Sequence, residues 1–186
     1  MTDKPLLVFA MEQESQDVFS GHQVLHTGIG KVNATYTLTS HLAHTTPSLV
    51  INLGTAGSRK HASGTIINCT QFIQRDMDAT PLGFEKWQTP FSKDPVTLAH
   101  GMSIAGLQQG ICGSGDSFDT SEAAGHFDVV DMEAFALALI CQRRNIPFLC
   151  LKYISDGAND DAHLDFETSL RQTAGQLLTA LKTAGY

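Results

Sequence analysis

Three apolar runs in this 186-residue chain stop at carboxylates: Leu6–Met11 at Glu12, Val129–Met132 at Glu133, and Phe148–Ile154 at Ser155-Asp156. Two further runs stop at glycine turns, Gly28-Ile29-Gly30 and Gly54-Thr55-Ala56-Gly57, and a third turn, Gly113-Ser114-Gly115-Asp116, follows Ile111. In open α/β sheets ligands bind beyond the carboxyl ends of strands, where glycine lets the backbone approach a ligand closely. These six ends therefore predict one shared pocket. An acid after a strand also serves as the cap of the next helix. Glu133 is the sharpest case for more than that, because it adjoins the apolar segment Ala134–Ile140 and would be poorly solvated there unless it met a ligand's donors.

Several carboxylates, small turns and little positive charge suit two chemistries. Mg²⁺ takes oxygen ligands and could sit among Glu12, Glu133 and Asp156. The alternative is a neutral or cationic organic substrate. A sugar offers hydroxyl donors, and cleaving a glycosidic bond develops positive charge on the ring that fixed anions stabilise in a water-poor site. No Asp-x-Asp follows the first run and no second acidic cluster lies nearby, which favours the sugar. Other motifs fail in detail. Lys31 is followed by Val32 and the spacing of a phosphate-binding loop is missing, while Asn33 occupies the third position of Gly-x-Gly-x-x-Gly. The pairs His22/His26 and His41/His44 have helical ligand spacing, but the first spans an expected strand and the second sits at a helix end with no Cys or carboxylate partner, so both read as surface histidines. Ser114 and Ser117 flank Asp116 without the Gly-x-Ser-x-Gly elbow of a serine hydrolase.

Composition narrows the partners. Twelve Lys and Arg against 19 Asp and Glu leave a net charge of −7 with no basic block, so neither nucleic acid nor an anionic membrane surface is an expected partner. At 42% hydrophobic and 17% charged residues, the chain has the make-up of one globular domain spanning residues 1–186. The longest apolar stretch, Ala134–Cys141, falls far short of the roughly 18 residues of a membrane helix. Leu6–Met11 is too short for a signal-peptide core and runs into Glu12 and Glu14, so the expected compartment is the cytoplasm. The four cysteines, Cys69, Cys112, Cys141 and Cys150, form no Cys-x-x-Cys pair and read as reduced core thiols.

The elements that must carry these residues follow from the alternation of short β-branched runs with helix-compatible segments, which predicts an α/β fold. Strands are expected near Leu6–Ala10, Gln23–Thr27, Leu49–Leu53, Gly64–Gln71, Gln109–Gly113, Val129–Met132 and Phe148–Ile154, and helices over Lys31–Ala43, Glu133–Arg144 and Phe166–Thr183. In the last helix Asp165 is placed as the cap, Phe166, Leu170, Leu177, Leu178 and Leu181 share one face, and Gly185 ends it. The stretch from Asp76 to His100 holds Pro81, Gly83, Pro90 and Pro95 and reads as a long irregular connection of the kind used for binding or partner contacts.

Taken in order, Ala10-Met11-Glu12-Gln13-Glu14, Gly28-Ile29-Gly30-Lys31-Val32, Ile51-Asn52-Leu53-Gly54-Thr55-Ala56-Gly57, Gly113-Ser114-Gly115-Asp116-Ser117-Phe118, Asp131-Met132-Glu133-Ala134 and Ile154-Ser155-Asp156 resemble the nucleoside phosphorylase and nucleosidase superfamily. The resemblance is closest to the 5′-methylthioadenosine/S-adenosylhomocysteine nucleosidases. It implies a single α/β domain with a mixed, partly closed central sheet flanked by helices, no cofactor, a small nucleoside as substrate and, commonly, a homodimer. It matches Glu12 to the acid that orients or deprotonates the attacking water. Glu133 matches the acid that grips ribose hydroxyls, with Met132 beneath the sugar. Asp156 matches the general acid at purine N7, and Phe118 would stack on the base. Thr55, after Gly54, stands where the family has a small hydroxyl residue, and Ser155 precedes the acid as the family pattern requires.

The chain departs from that pattern at Lys152, where the nucleosidases often have Arg, at Asp131, which replaces a Glu, and at Asp119, where an apolar residue is common. Against that pattern the chain is shorter between Thr89 and Gln109, and the stretch from Arg75 to Phe84 is the expected partner contact. Water is the expected nucleophile, because phosphate needs an Arg cluster and would suffer among acids. Arg59 and Arg75 keep phosphorolysis open, as does a binding protein without turnover that keeps the same pocket.

Overall fold

A computed structural model describes the backbone of residues 4–158 and 162–186, and the side chains of all of these except 162–169 and 171. The order of elements is β1 (Leu6–Phe9), α1 (Glu12–Ser15), a 3-10 turn (Gln16–Phe19), β2 (Gln23–His26), α2 (Lys31–Leu42), β3 (Val50–Gly57) and β4 (Ile66–Gln74). A 3-10 turn (Thr80–Leu82), β5 (Leu98–Ala99), β6 (Gln108–Ser114), a third 3-10 turn (Glu122–His126), β7 (Val129–Asp131), α3 (Ala134–Arg144), β8 (Phe148–Asp156) and α4 (Ala162–Thr183) complete the chain.

One mixed sheet closes on itself. β8 runs parallel to β3 along its whole length and antiparallel to β4 through Leu151, Lys152 and Tyr153. β4 pairs parallel with β6, and β6 with β7. β7 then returns to β3 through Gly57 and Val130, so that β3, β8, β4, β6 and β7 form a small barrel. β1 and β2 extend the sheet from the first half of β3. This is the mixed, partly closed α/β sheet that the resemblance implies.

β8 explains why its run reads as continuously apolar. Phe148, Cys150 and Ile154 pack into the layer beneath α2 and α3, with Leu38 and Leu137, whereas Leu149, Leu151 and Tyr153 pack into the layer beneath α4, with Leu177 and Leu181. A strand covered on both faces needs apolar residues at every position. Lys152 is the exception, a fully buried cation on the first of these faces. Outside the barrel wall, Trp87 in the long connection packs on Phe127 with ring centroids 5.2 Å apart.

Several expected boundaries shift. Gly54-Thr55-Ala56-Gly57 is the end of β3 rather than a turn, and Ser155-Asp156 belongs to β8. The apolar pattern predicts neither the helical segment from Glu12 to Phe19 nor β5. α4 begins at Ala162, so Asp165 lies inside it rather than capping it; the packing of Phe166 falls outside the described side chains. Leu177 and Leu181 are buried as expected, and Gly185 follows the helix at φ +88°. All four cysteines are buried and free.

Candidate active site

A cavity of about 330 Å³ opens where β1, β3, β7 and β8 end, and the segment after β6 forms its outer wall. Of the residues expected there, Thr55, Phe118, Asp119, Met132, Glu133, Ser155 and Asp156 line it. Glu12 does not: it is exposed, and Glu14, two residues later, lines the cavity with only 3% of its surface accessible. The reason is local. The chain turns into α1 directly after β1, and the third residue of that turn folds back on the residues before it, so Glu14 Oε2 accepts the backbone N–H groups of Ala10 and Met11 at 3.2 Å. Oε1 accepts the backbone N–H and hydroxyl of Thr55 at 2.8 and 2.7 Å. A glutamate at the third helical position that bonds back to the cap is half of a capping box, but with Met11 at the cap the Ser/Thr-x-x-Glu signature is missing, so the sequence carries no signal that separates Glu14 from Glu12. Gly54 lies behind this carboxylate rather than in the lining, where a Cβ would come within 3.0 Å of Glu14 Oε1.

Glu133 sits at the start of α3, 7% exposed, with Oε1 accepting the N–H of Gly30 at 2.8 Å. Gly30 has φ +93°, a conformation that L side chains rarely adopt, and the turn it makes aims that N–H at the carboxylate. Burial raises the Glu133 carboxyl to about 8, the negative charge of Asp131 adds to this, and Lys152 and the Gly30 N–H oppose it.

Asp156 closes β8, with Oδ2 accepting the Ser155 hydroxyl at 2.7 Å and Oδ1 the N–H of Ala158 at 2.9 Å. Gly57 makes room for it, since a Cβ there would come within 2.7 Å of Asp156 Oδ1.

The two departures at 131 and 152 meet each other. Lys152 Nζ lies 2.8 Å from Asp131 Oδ2, with both side chains almost wholly buried. Asp131 also accepts the N–H of Ala134 at 2.9 Å and the Ser114 hydroxyl at 2.5 Å. Burial pushes the Asp131 carboxyl up, but Lys152 and these donors hold it below its usual range. Burial likewise works against the Lys152 ammonium, and Asp131 holds it well above its usual value.

Both arginines near the cavity are committed. Arg75 lines it and pairs with Asp119 at 3.1 Å, while also donating to the Ser117 hydroxyl and to the carbonyls of Gly115 and Ser117. Arg59 donates to Glu122, Thr120 and Ala158. Asp119 thus has an ionic partner at the position where the resemblance leads one to expect an apolar side chain. A second set of ties joins the glycine turn to the segments after β4 and β6: Lys31 Nζ pairs with Asp76, the Lys31 N–H donates to Asp116 at 2.7 Å, and the Asp116 N–H donates to Asp76 at 2.8 Å. With Glu12 outside the cavity, the acids considered for Mg²⁺ do not converge, and among the described residues no group of three His, Cys, Asp or Glu has metal-holding spacing.

A family model described as the phosphorylase superfamily matches residues 20–183. A 5′-methylthioadenosine/S-adenosylhomocysteine nucleosidase of Bacillus cytotoxicus is 34% identical, over 83% of this chain and 77% of the relative. A nucleosidase of the same name from an Exiguobacterium species is 33% identical, over 79% and 72%. Among solved structures, the nucleosidase of that name from Helicobacter pylori superposes with a TM-score of 0.88 at 22% identity, covering 98% of this chain and 97% of the other. The native futalosine hydrolase of Helicobacter pylori also superposes with a TM-score of 0.88 at 22% identity, covering 99% and 97%.

Proposed function

Because the chain belongs to the phosphorylase superfamily and, within it, to the 5′-methylthioadenosine/S-adenosylhomocysteine nucleosidases, we propose that it uses water to cleave the N-glycosidic bond of an adenosine-type nucleoside such as those two compounds. The observation that carries this reading is the convergence of three separately anchored carboxylates, Glu14, Glu133 and Asp156, on one nucleoside-sized cavity.

In this reading Phe118 stacks on the base and Met132 packs beneath the ribose. Asp156 hydrogen-bonds N7 of the purine and supplies the proton that makes the base a better leaving group. Glu133 holds the ribose hydroxyls, and its anion gains strength as the ring becomes cationic, which is binding directed at the transition state. Glu14, rather than Glu12, orients the water toward the anomeric carbon and takes up the proton that the water loses as its oxygen bonds to that carbon; Thr55 fixes the carboxylate for that task and Ser155 fixes Asp156. Phosphate is disfavoured as the nucleophile because Arg59 and Arg75 already serve carboxylates and carbonyls.

We also assign the protein to the cytoplasm and to a homodimer. No described helix is long and apolar enough to cross a membrane. The open groove between α2 and α3, with Val32 and Tyr36 exposed, offers an apolar face to a second copy. Sedimentation of the purified protein decides the last point: a monomer at micromolar concentration contradicts it. The central test is base release from a panel of nucleosides with and without phosphate. Release of free base and free sugar at an unchanged rate in phosphate-free buffer is expected. Strict dependence on phosphate would establish a phosphorylase, and binding without release would establish a protein that has lost turnover.

A further inference from the structure

Glu133 is surrounded by charges that its role in holding ribose does not itself require. Asp131 faces it from β7, Lys152 from β8 and Glu14 from α1, and the Gly30 N–H reaches it from the turn before α2. The other charged groups of the cavity are the Arg75–Asp119 pair and Asp156, whose carboxylate is already bonded to Ser155 and Ala158. Of all these, Lys152 and Asp131 are the pair removed from water, at 2.8 Å and with 2% and 1% of their side chains accessible. A buried ion pair is weak support for stability, since its desolvation offsets its attraction, so its persistence in a core calls for another reason.

We propose that Lys152 and Asp131 are positioning residues for Glu133, Asp131 by fixing the first turn of α3 and opposing the anion, and Lys152 by tempering that opposition. The inference rests on the assignment of Glu133 to the ribose hydroxyls. Asp131 accepts the N–H of Ala134, the first residue of α3, and thereby holds the backbone from which Glu133 projects. Its Ser114 contact extends the hold, because Ser114 Oγ accepts the N–H of Phe135 at 2.8 Å. The same Asp131 places a fixed negative charge beside a carboxyl that burial already disfavours as an anion, and Lys152 is the nearby cation that offsets it. The pair thus leaves Glu133 able to be neutral in the empty site and to ionise when a cationic ribosyl group forms.

The prediction has a sign that a merely structural role lacks. Glu133 acts as an anion, so its ionisation sets the acid limb of kcat/KM in the free enzyme. Asp131→Asn keeps an acceptor for Ala134 and removes the opposing charge, so the acid limb should move down by about one pH unit or more. Lys152→Arg keeps the cation and should leave the limb where it is. An Asp131→Asn limb that stays put or moves up overturns the proposal, as does a Lys152→Arg limb that moves as far as that of Asp131→Asn. If Asp131→Asn does not fold, the Asp131→Asn/Lys152→Met double variant, which leaves no unpaired buried charge, should still show a lowered limb, and an unmoved one overturns the proposal. A readout independent of turnover separates this from a failure of the functional assignment. The fall of Tm with rising pH that accompanies ionisation of Glu133 should move to lower pH in Asp131→Asn even if no nucleoside is cleaved, and an unchanged profile counts against the proposal.

Discussion

At the scale of single residues, the site is a set of carboxylates held by donors that belong to other segments. Glu14 and Glu12 separate cleanly by experiment, because the first accepts four donors and the second faces water. Glu14→Gln should reduce kcat by roughly a hundredfold or more, the usual cost of losing an acid–base group, whereas Glu12→Gln should leave steady-state kinetics within about twofold. Equal effects of the two substitutions would return the catalytic role to Glu12. Glu133 also makes a prediction about stability. A carboxyl raised from its ordinary range to about 8 binds a proton in the native state that the unfolded chain has lost. Stability therefore falls as pH rises from about 4.5 to about 8 and levels off above that. Glu133→Gln should match the parent in Tm near pH 4.5 and exceed it at pH 9, measured by calorimetry; no gain at pH 9 would show that the carboxyl is not held neutral.

At the scale of elements, the strands deliver the chemistry and the helices and turns hold it still. β3 and β8 run side by side and end together, so Gly57 and Asp156 are register partners and the absence of a side chain at one makes room for the carboxylate of the other. Gly57→Ala must displace Asp156 or Ala158, and kcat should fall at least tenfold with the far-UV circular dichroism unchanged; parent-like kcat would mean that Asp156 does not need its present place. This level also marks what could be read in the sequence. Six of the seven expected strands and the helix at Lys31 lie close to their predicted places because apolar alternation and glycine turns act locally. The end of β3 reads as a turn in the sequence because Gly54 and Gly57 are there for close packing against Glu14 and Asp156, a tertiary demand that imitates a turn signal. The exchange of Glu12 for Glu14 has the same origin: the end of an apolar run gives the region, and only the fold-back of α1 selects the residue.

At the scale of the whole molecule, the departures noted in the sequence resolve into pairs. Lys152 and Asp131, both departures from the pattern that the resemblance implies, meet as an ion pair, and Asp119, a third, meets Arg75. Neither partnership is visible in one dimension, because β4, β6, β7 and β8 come together only when the barrel closes. Asp119→Leu, the change toward the family pattern, should therefore release Arg75 and loosen the segment bearing Phe118, raising KM several-fold with a smaller effect on kcat; an unchanged KM would remove that pair from any part in holding the base. Since the three acids are anchored from β3, from β8 and from the segments that follow β1 and β2, strands joined in one sheet built around a closed ring, catalytic competence should be lost in urea together with secondary structure and not before it.

That ring also carries its own optical probe. The chain has a single tryptophan, Trp87, and it rests on Phe127, whose ring presses against Gly113 in β6. Intrinsic indole emission therefore comes from one known spot on the wall beside the cavity, so a red shift on titration with denaturant reports water reaching that wall without any label being attached.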